Sequence, residues 1–134
     1  MTGWPEMVLR VLLALGLSAA IGYERERRQK PAGLRTHCLI GVGAATFTLA
    51  SLYGFDQSEV ARVAAGVVAG VGFIGGGVIF RGVRGEVGVA GLTTATAIWV
   101  TAAIGLAAAC GLVLLAVTVA VISLIILELP KIQD

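Results

Sequence analysis

The sequence predicts an all-α, polytopic membrane protein, a bundle of five transmembrane helices packed through glycine and alanine. Hydrophobic residues make up 57% of its 134 residues, charged residues only 13%, and the mean hydropathy is +0.95. A soluble domain has about a quarter charged residues, so a water-soluble fold is excluded. Since one span needs about 20 apolar residues, the chain holds at most about five spans in one domain, residues 1–134, and we expect no soluble domain after the last helix.

Each predicted helix begins or ends at a recognisable signal. Trp4 precedes the first apolar run, at a position typical of an interfacial aromatic side chain. Asp56 and Glu59 have the spacing of a capping box, so the third helix is predicted to begin at Asp56. The last apolar stretch is too long for one span, and a break near residues 105–111 divides it. The predicted helices cover about residues 5–28, 36–54, 56–80, 92–106 and 110–128.

Two alternatives remain open for the ends of this arrangement. The first apolar run is also compatible with a signal peptide cleaved near Ala20, although Glu6 and Arg10 stand before it in place of a basic cluster. The last stretch is also compatible with one tilted or kinked helix, which would leave four spans and an external carboxyl terminus.

The distribution of basic residues predicts the orientation. With the amino terminus outside and the carboxyl terminus inside, the external side carries only Arg10 and Arg62. Basic residues favour the cytoplasmic side, so this orientation is preferred. The residues that it places inside are Arg25, Arg27, Arg28, Lys30, Arg35, Arg81, Arg84 and Lys131.

The most densely charged segment, residues 24–30, begins with Glu24, which is the acidic residue predicted to matter most. If the first helix continues past the membrane, Glu24 meets Arg28 at i,i+4 and lies on the face of Gly16 and Ala20, which is predicted to point toward neighbouring helices. Glu24 either pairs with Arg28 or Arg35, which is favoured, or is a metal ligand where a cation meets the bundle.

The other charged side chains of this segment are predicted to be a solvated anchor on anionic lipid headgroups. Glu26 points away from the bundle and is predicted to be solvated as well. Nucleic-acid binding is excluded, because the basic patch is short, lacks interleaved aromatic residues and lies against a membrane.

The third helix carries six glycines with two possible roles. They press the backbone against another helix or a second subunit, which the small-xxx-small spacing favours, or the helix unwinds and turns its carbonyls and amides toward an ion. Each glycine weakens a helix by about 1 kcal/mol relative to alanine, so a cluster of six indicates a structural or functional role that offsets this cost. These residues are Gly66, Gly70, Gly72, Gly75, Gly76 and Gly77.

Arg62 lies on the glycine face of the third helix, near the external boundary. At helical spacing it shares that face with Gly66, Gly70, Phe73 and Gly77. A charged side chain there needs a partner, and an acidic residue of segment 56–59 or a lipid headgroup is predicted to provide it.

The fourth helix begins with a threonine-rich segment. Thr93 is predicted to cap it, and the hydroxyls of Thr94 and Thr101 bind a cation or, as is favoured, hydrogen-bond to a neighbouring helix. Trp99 lies near mid-span and is predicted to be a buried packing residue.

Enzymatic signatures are missing from the sequence. It contains no His-Glu-x-x-His, no Gly-x-Ser-x-Gly, no Walker lysine and no pair of carboxylates deep in a span. We therefore predict a protein that is not an enzyme and has no cofactor, with Mg²⁺ as its one candidate ligand or substrate.

Three ordered motifs resemble the MgtC/SapB family of bacterial inner-membrane proteins. They are residues 22–26 with 32–36, residues 62–63 leading to 70–79, and residues 91–95 with Trp99. The resemblance implies a multi-pass protein of magnesium homeostasis, described as Mg²⁺ transport. For some members it implies regulation of another membrane complex, such as the F-type ATP synthase, and a part in survival inside host cells.

The resemblance also implies which positions matter for function. They are Glu24, Arg25, Arg35, Arg62, the segment Gly70–Gly77, Thr93, Thr94 and Trp99. Two hypotheses follow: the bundle itself moves Mg²⁺, or it is a regulatory partner of another membrane protein. We expect a homodimer through the glycine-rich faces, surrounded by lipid. Mg²⁺ usually needs one or two carboxylates, and the absence of an acid at mid-depth counts against a high-affinity transporter.

Overall fold

The computed structural model describes residues 3–55, 60–81 and 91–130, and for residues 80 and 81 only the backbone. Within these ranges the protein is all-helical, as predicted. Four helices are long and apolar enough to cross a membrane, and the fifth is apolar but shorter, at 15 residues. The helices are α1 (Trp4–Arg27), α2 (Leu34–Gly54), α3 (Val60–Arg81), α4 (Leu92–Ala109) and α5 (Val113–Leu127).

The predicted helix boundaries agree with these bounds to within a few residues. The proposed capping box at Asp56 and Glu59 lies outside the described residues, as do Arg84 and Lys131.

Helix α4 is the centre of the bundle, since it contacts each of the other four helices. In the most apolar 18-residue stretch of α4, 56% is buried, against 11% in the corresponding stretch of α3. The inward residues of α4 are small or β-branched, among them Ala95, Ile98, Ala102 and Ile104. Helix α3 packs only on α2 and α4, and α5 only on α1 and α4. One flank of α3 therefore has no partner helix within the described chain.

Three glycines let α1, α2 and α4 approach closely. A Cβ atom added at Gly105 would lie 2.5 Å from the carbonyl oxygen of Gly41, so α4 rests on the backbone of α2. A Cβ atom at Gly41 would overlap Ser18 of α1, and one at Gly22 would lie 2.9 Å from the Cα atom of Leu34. Lipid tails are as apolar as the helix surfaces, so the hydrophobic effect does not drive membrane helices together. Close packing through small residues stabilises their contact instead.

The last apolar stretch forms two helices, so the single-helix alternative is wrong. The break is shorter than predicted, because α4 continues through Gly105 to Ala109, and Gly111 makes the turn with φ +84°. Arg10 Nη1 donates a hydrogen bond of 2.8 Å to the carbonyl of Ala109, while Arg10 Nη2 pairs with Glu6 at 2.7 Å. Arg10 thus satisfies a carbonyl that the end of α4 leaves free.

Contacts at the helix ends show how the helices alternate in direction. Arg10 of α1 contacts Tyr53 of α2 and the end of α4 at one end of the bundle. At the other end, Glu128 after α5 pairs with Arg27 and Arg28. The arginine-rich end of α1 therefore lies at the same end of the bundle as the carboxyl terminus of α5.

Candidate functional site

Glu24 is buried in the last turn of α1, with 4% of its surface exposed. Its Oε1 accepts a hydrogen bond of 2.9 Å from Arg25 Nε, and its Oε2 lies 3.1 Å from Arg28 Nε. The favoured pairing with Arg28 is thus confirmed. The predicted inward face of α1 was wrong, because Gly16 meets open space. The inward face of α1 passes instead through Ala14, Ser18 and Ile21.

Arg25 is buried, contrary to the prediction from the sequence. It was predicted to be part of a solvated anchor, yet only 2% of its surface is exposed. Arg25 lies one helical turn beyond Ile21 on the inward face of α1, so its burial was predictable from the helical spacing once that face was known. A buried guanidinium needs a paired carboxylate, and Glu24 provides it.

The Glu24 ion pair continues to the surface through Arg28. Arg28 Nη2 donates to Glu128 Oε1 at 2.8 Å, and Arg27 Nη2 donates to Glu128 Oε2 at 2.9 Å. These contacts join the end of α1 to the end of α5. We call Glu24, Arg25, Arg27, Arg28 and Glu128 the charged cluster.

The outer contacts of the charged cluster are expected to respond to acid. The hydrogen bond from Arg28 lowers the pKa of Glu128 below its ordinary value of 4.5. Because this pKa is lower in the folded state, the contacts add stability above pH 4.5 and lose it as the pH falls through the lowered pKa. Spin labels at Gln29 and Leu129 are expected to show a narrow distance distribution at neutral pH that broadens in acid. With Glu128→Gln, the same width at every pH is expected, and a pH response that persists in this variant would contradict the assignment to Glu128.

His37 is a second buried polar group, and it is not among the residues predicted from the sequence to matter for function. It is fully buried on α2, and its Nδ1 lies 2.8 Å from Thr101 Oγ1 on α4. Gly22 of α1 makes room for it, since a Cβ atom at Gly22 would lie 3.0 Å from His37 Cβ. The favoured prediction that Thr101 hydrogen-bonds to a neighbouring helix is confirmed.

Two other charged side chains near this site are exposed. Glu26 Oε1 accepts a hydrogen bond of 2.8 Å from the backbone amide of Leu34, the first residue of α2. Glu26 is therefore exposed, as predicted, but it also stabilises the start of α2. Arg35, the alternative partner for Glu24, is exposed.

The glycine-rich segment of α3 is an unbroken helix, so the unwound backbone interpretation is wrong. Within the described chain, only Gly75 packs on another helix, with its added Cβ 3.4 Å from Ala95 Cβ. The open face also carries Phe73, which is 86% exposed, and Arg62 is exposed. The glycines whose added Cβ would meet open space are Gly66, Gly70, Gly72, Gly76 and Gly77.

A groove of about 980 Å³ runs between α2 and α3. Apolar side chains line it, among them Leu39 and Phe47 of α2. Gly66 and Gly70 form part of its α3 wall. The open side of α3 is therefore both apolar and flanked by a concave surface.

Two predictions for residues of α4 are wrong. Thr93 is not the cap: Gly91 takes that position with φ +83°, which a residue with a side chain rarely adopts. Trp99 is 54% exposed, because Ile98 and Thr101 occupy the inward face of α4. Thr94 is buried, with 3% of its surface exposed.

The arrangement offers ion pairs and hydrogen bonds, not a set of metal ligands. Within residues 3–55, 60–79 and 91–130, no three His, Cys, Asp or Glu side chains come together. Glu24, the one predicted metal ligand, has each of its carboxylate oxygens beside an arginine.

Comparison with known protein families matches residues 11–133 to the MgtC family. The chain belongs to the MgtC family. Its long apolar helices and this membership identify it as a membrane protein.

Several curated proteins are similar to this MgtC-family chain. "Putative magnesium transporter YhiD" of Escherichia coli K12 is 47% identical over 131 residues, which cover 92% of this chain and 60% of YhiD. "Protein SrpB" of Synechococcus elongatus is 40% identical over 120 residues, or 81% of this chain and 66% of SrpB. "Protein MgtC" of Salmonella typhimurium LT2 is 46% identical over 105 residues, or 78% of this chain and 43% of MgtC. This chain thus spans about 60% of the length of YhiD, and no solved structure matches it.

Proposed function

We propose that this MgtC-family protein serves magnesium homeostasis in the bacterial inner membrane by binding and modulating another membrane complex. The printed name of YhiD supports the link to magnesium. The observation that carries the regulatory role is the pairing of Glu24 with Arg25 and Arg28. Mg²⁺ gives up its water reluctantly and is usually bound by carboxylates, so it would have to displace arginines that already neutralise this one.

Mg²⁺ transport is the second candidate, favoured by the same printed name. In that case Glu24, together with the hydroxyls of Thr93 and Thr94, contacts the ion during passage. Glu24 would then have to leave its arginines, which a buried ion pair opposes strongly.

Magnesium flux into sealed vesicles separates the two candidates. Purified protein is reconstituted with an internal Mg²⁺-sensitive dye, and flux is compared among the native chain, Glu24→Gln with Arg25→Met, and Glu26→Gln as the exposed control. The regulatory proposal expects no flux in any of them and copurification of a membrane complex from native membranes. Flux that the Glu24 variant loses and the Glu26 variant keeps would establish transport instead.

The proposed orientation has the amino terminus outside and the arginine-rich end in the cytoplasm. It is supported by the side-chain contacts that collect Arg25, Arg27 and Arg28 at one end of the bundle. Cys110 is exposed in the turn at the opposite end. A thiol reagent that cannot cross the membrane is expected to label Cys110 from outside in Cys38→Ala cells, and labelling only after lysis would reverse the orientation.

We also propose that two copies associate through the open face of α3. Gly66, Gly70 and Gly77 meet open space there, and small residues let the backbones of membrane helices approach. Only 11% of the most apolar stretch of α3 is buried within the single chain, which supports the same proposal.

The proposed dimer contact can be tested by comparing two glycines of α3, Gly70 and Gly75. Gly70→Leu is expected to lower dimerisation in vesicles, measured by energy transfer between labelled copies, by about tenfold, which corresponds to ~1.4 kcal/mol. The fold should remain intact, because nothing lies within 4 Å of the added Cβ. Gly75→Leu instead presses on Ala95 and is expected to destabilise the single chain. Unchanged energy transfer with Gly70→Leu would count against this face as the dimer contact.

A further inference from the structure

His37 and Arg25 each bury one nitrogen that has no hydrogen-bond partner within the described chain. These atoms are His37 Nε2 and Arg25 Nη1. Buried polar groups nearly always have a partner, either in the protein or in an ordered water molecule. Two further buried atoms make no hydrogen bond within the described chain. Glu24 Oε2 lies 3.1 Å from Arg28 Nε and is neutralised by that ion pair. The Ser18 hydroxyl can turn toward the carbonyl of Ala14 one helical turn back, as Thr48 does toward Ala44.

The hydrogen bonds around Thr101 favour one position for the proton of the His37 ring. The hydroxyl of Thr101 donates its single hydrogen to the carbonyl of Ala97 at 2.8 Å. Toward His37 Nδ1, also at 2.8 Å, Thr101 Oγ1 can therefore only accept. With the hydroxyl hydrogen directed to Ala97, the proton of a neutral imidazole lies on Nδ1 and Nε2 is an acceptor.

The residues that carry this acceptor and the Arg25 donor are both buried, and they belong to α2 and α1, which pack on each other. Gly22 packs directly on His37, and Arg25 follows Gly22 by three residues on the same helix. The two nitrogens are complementary, since one can only donate and the other can only accept, yet they make no direct hydrogen bond.

We propose that Arg25 Nη1 and His37 Nε2 bind a buried water molecule between them. The water accepts a hydrogen bond from the guanidinium and donates one to the imidazole nitrogen. A metal cation does not suit the site, because it would meet the guanidinium charge. A bare anion does not suit it either, because it would face the lone pair of Nε2. A small neutral molecule that both donates and accepts satisfies both atoms, and water is the smallest of these.

The test uses the fact that His37 is the only histidine in the chain. The full protein is labelled with ¹⁵N-histidine, reconstituted in lipid and measured by solid-state NMR at neutral pH. We expect one neutral imidazole with the proton on Nδ1, and polarisation transfer from water to the ring. A proton on Nε2, a doubly protonated ring, or the absence of transfer from water would each overturn the proposal.

Three variants separate the water site from a general structural effect. Arg25→Met is expected to keep the Nδ1 proton and to reduce the transfer from water at least severalfold. Thr101→Val removes the acceptor for Nδ1 and is expected to shift the proton to Nε2 in a measurable fraction of molecules. Thr48→Val, a buried threonine on α2 that bonds to its own helix, should change neither signal. Undiminished transfer in Arg25→Met would overturn the role of Arg25.

Discussion

Replacing Glu24 with glutamine is expected to destabilise the bundle by about 3–5 kcal/mol. The substitution keeps the shape of the side chain but leaves the buried guanidinium of Arg25 without its counter-charge, and breaking a buried pair from one side costs that much. The free energy of unfolding in mixed micelles, with a denaturing detergent as the perturbant, measures the effect.

Glu26→Gln is the matched control for this prediction. Glu26 lies two residues away on the same helix and is exposed, and glutamine keeps an oxygen for the amide of Leu34. A change within about 0.5 kcal/mol is expected, as for most surface substitutions. Adding Arg25→Met to Glu24→Gln should recover much of the lost stability, because no unpaired charge then remains buried. A Glu24→Gln protein as stable as the control would show that the pair contributes nothing to the fold.

Replacing Gly105 with alanine is expected to destabilise the protein by about 1–3 kcal/mol, the usual cost of overpacking a core. The new Cβ atom would lie 2.5 Å from the carbonyl oxygen of Gly41, which is backbone and cannot turn away. Helices α2 and α4 must therefore move apart, and the contact between His37 and Thr101 one turn away lengthens with them. Thermal unfolding in a mild detergent measures the loss.

Gly43→Ala provides the matched comparison for Gly105. Gly43 is on α2, and its added Cβ atom meets nothing within 4 Å. Stability is expected to stay the same or to rise by up to about 1 kcal/mol, since alanine favours a helix over glycine. Equal losses at Gly43 and Gly105 would indicate that the close approach of α2 and α4 is unimportant.

Much of the fold was predictable because the membrane imposes strong rules on a sequence. A span needs a long apolar run, and charged residues gather between runs, so the helices and their approximate bounds followed from hydropathy. The pairing of Glu24 with Arg28 followed from i,i+4 spacing in the same way.

The positions of close helix packing could not be predicted from the glycines in the sequence. The densest cluster, in α3, was expected to provide the tight packing, but the described chain packs closely at Gly22, Gly41 and Gly105 instead. A small-xxx-small motif permits close approach without specifying which helix approaches. Gly22, Gly41 and Gly105 fit the same spacing, with Ser18, Ala45 and Ala109, so the motif does not distinguish the faces that pack from those that stay open.

Sequence alone settled what depends on a residue and its near neighbours along the chain: membrane residence, the helical class and the local pairing of Glu24. The three-dimensional arrangement settled the rest, namely the burial of Arg25, the His37 to Thr101 contact across 64 positions of sequence, and the outward direction of Trp99. The physical reason is that burial and long-range hydrogen bonds depend on how helices rotate about their axes and cross, and in an almost uniformly apolar helix such as α4 the hydropathy pattern distinguishes one face from another only weakly.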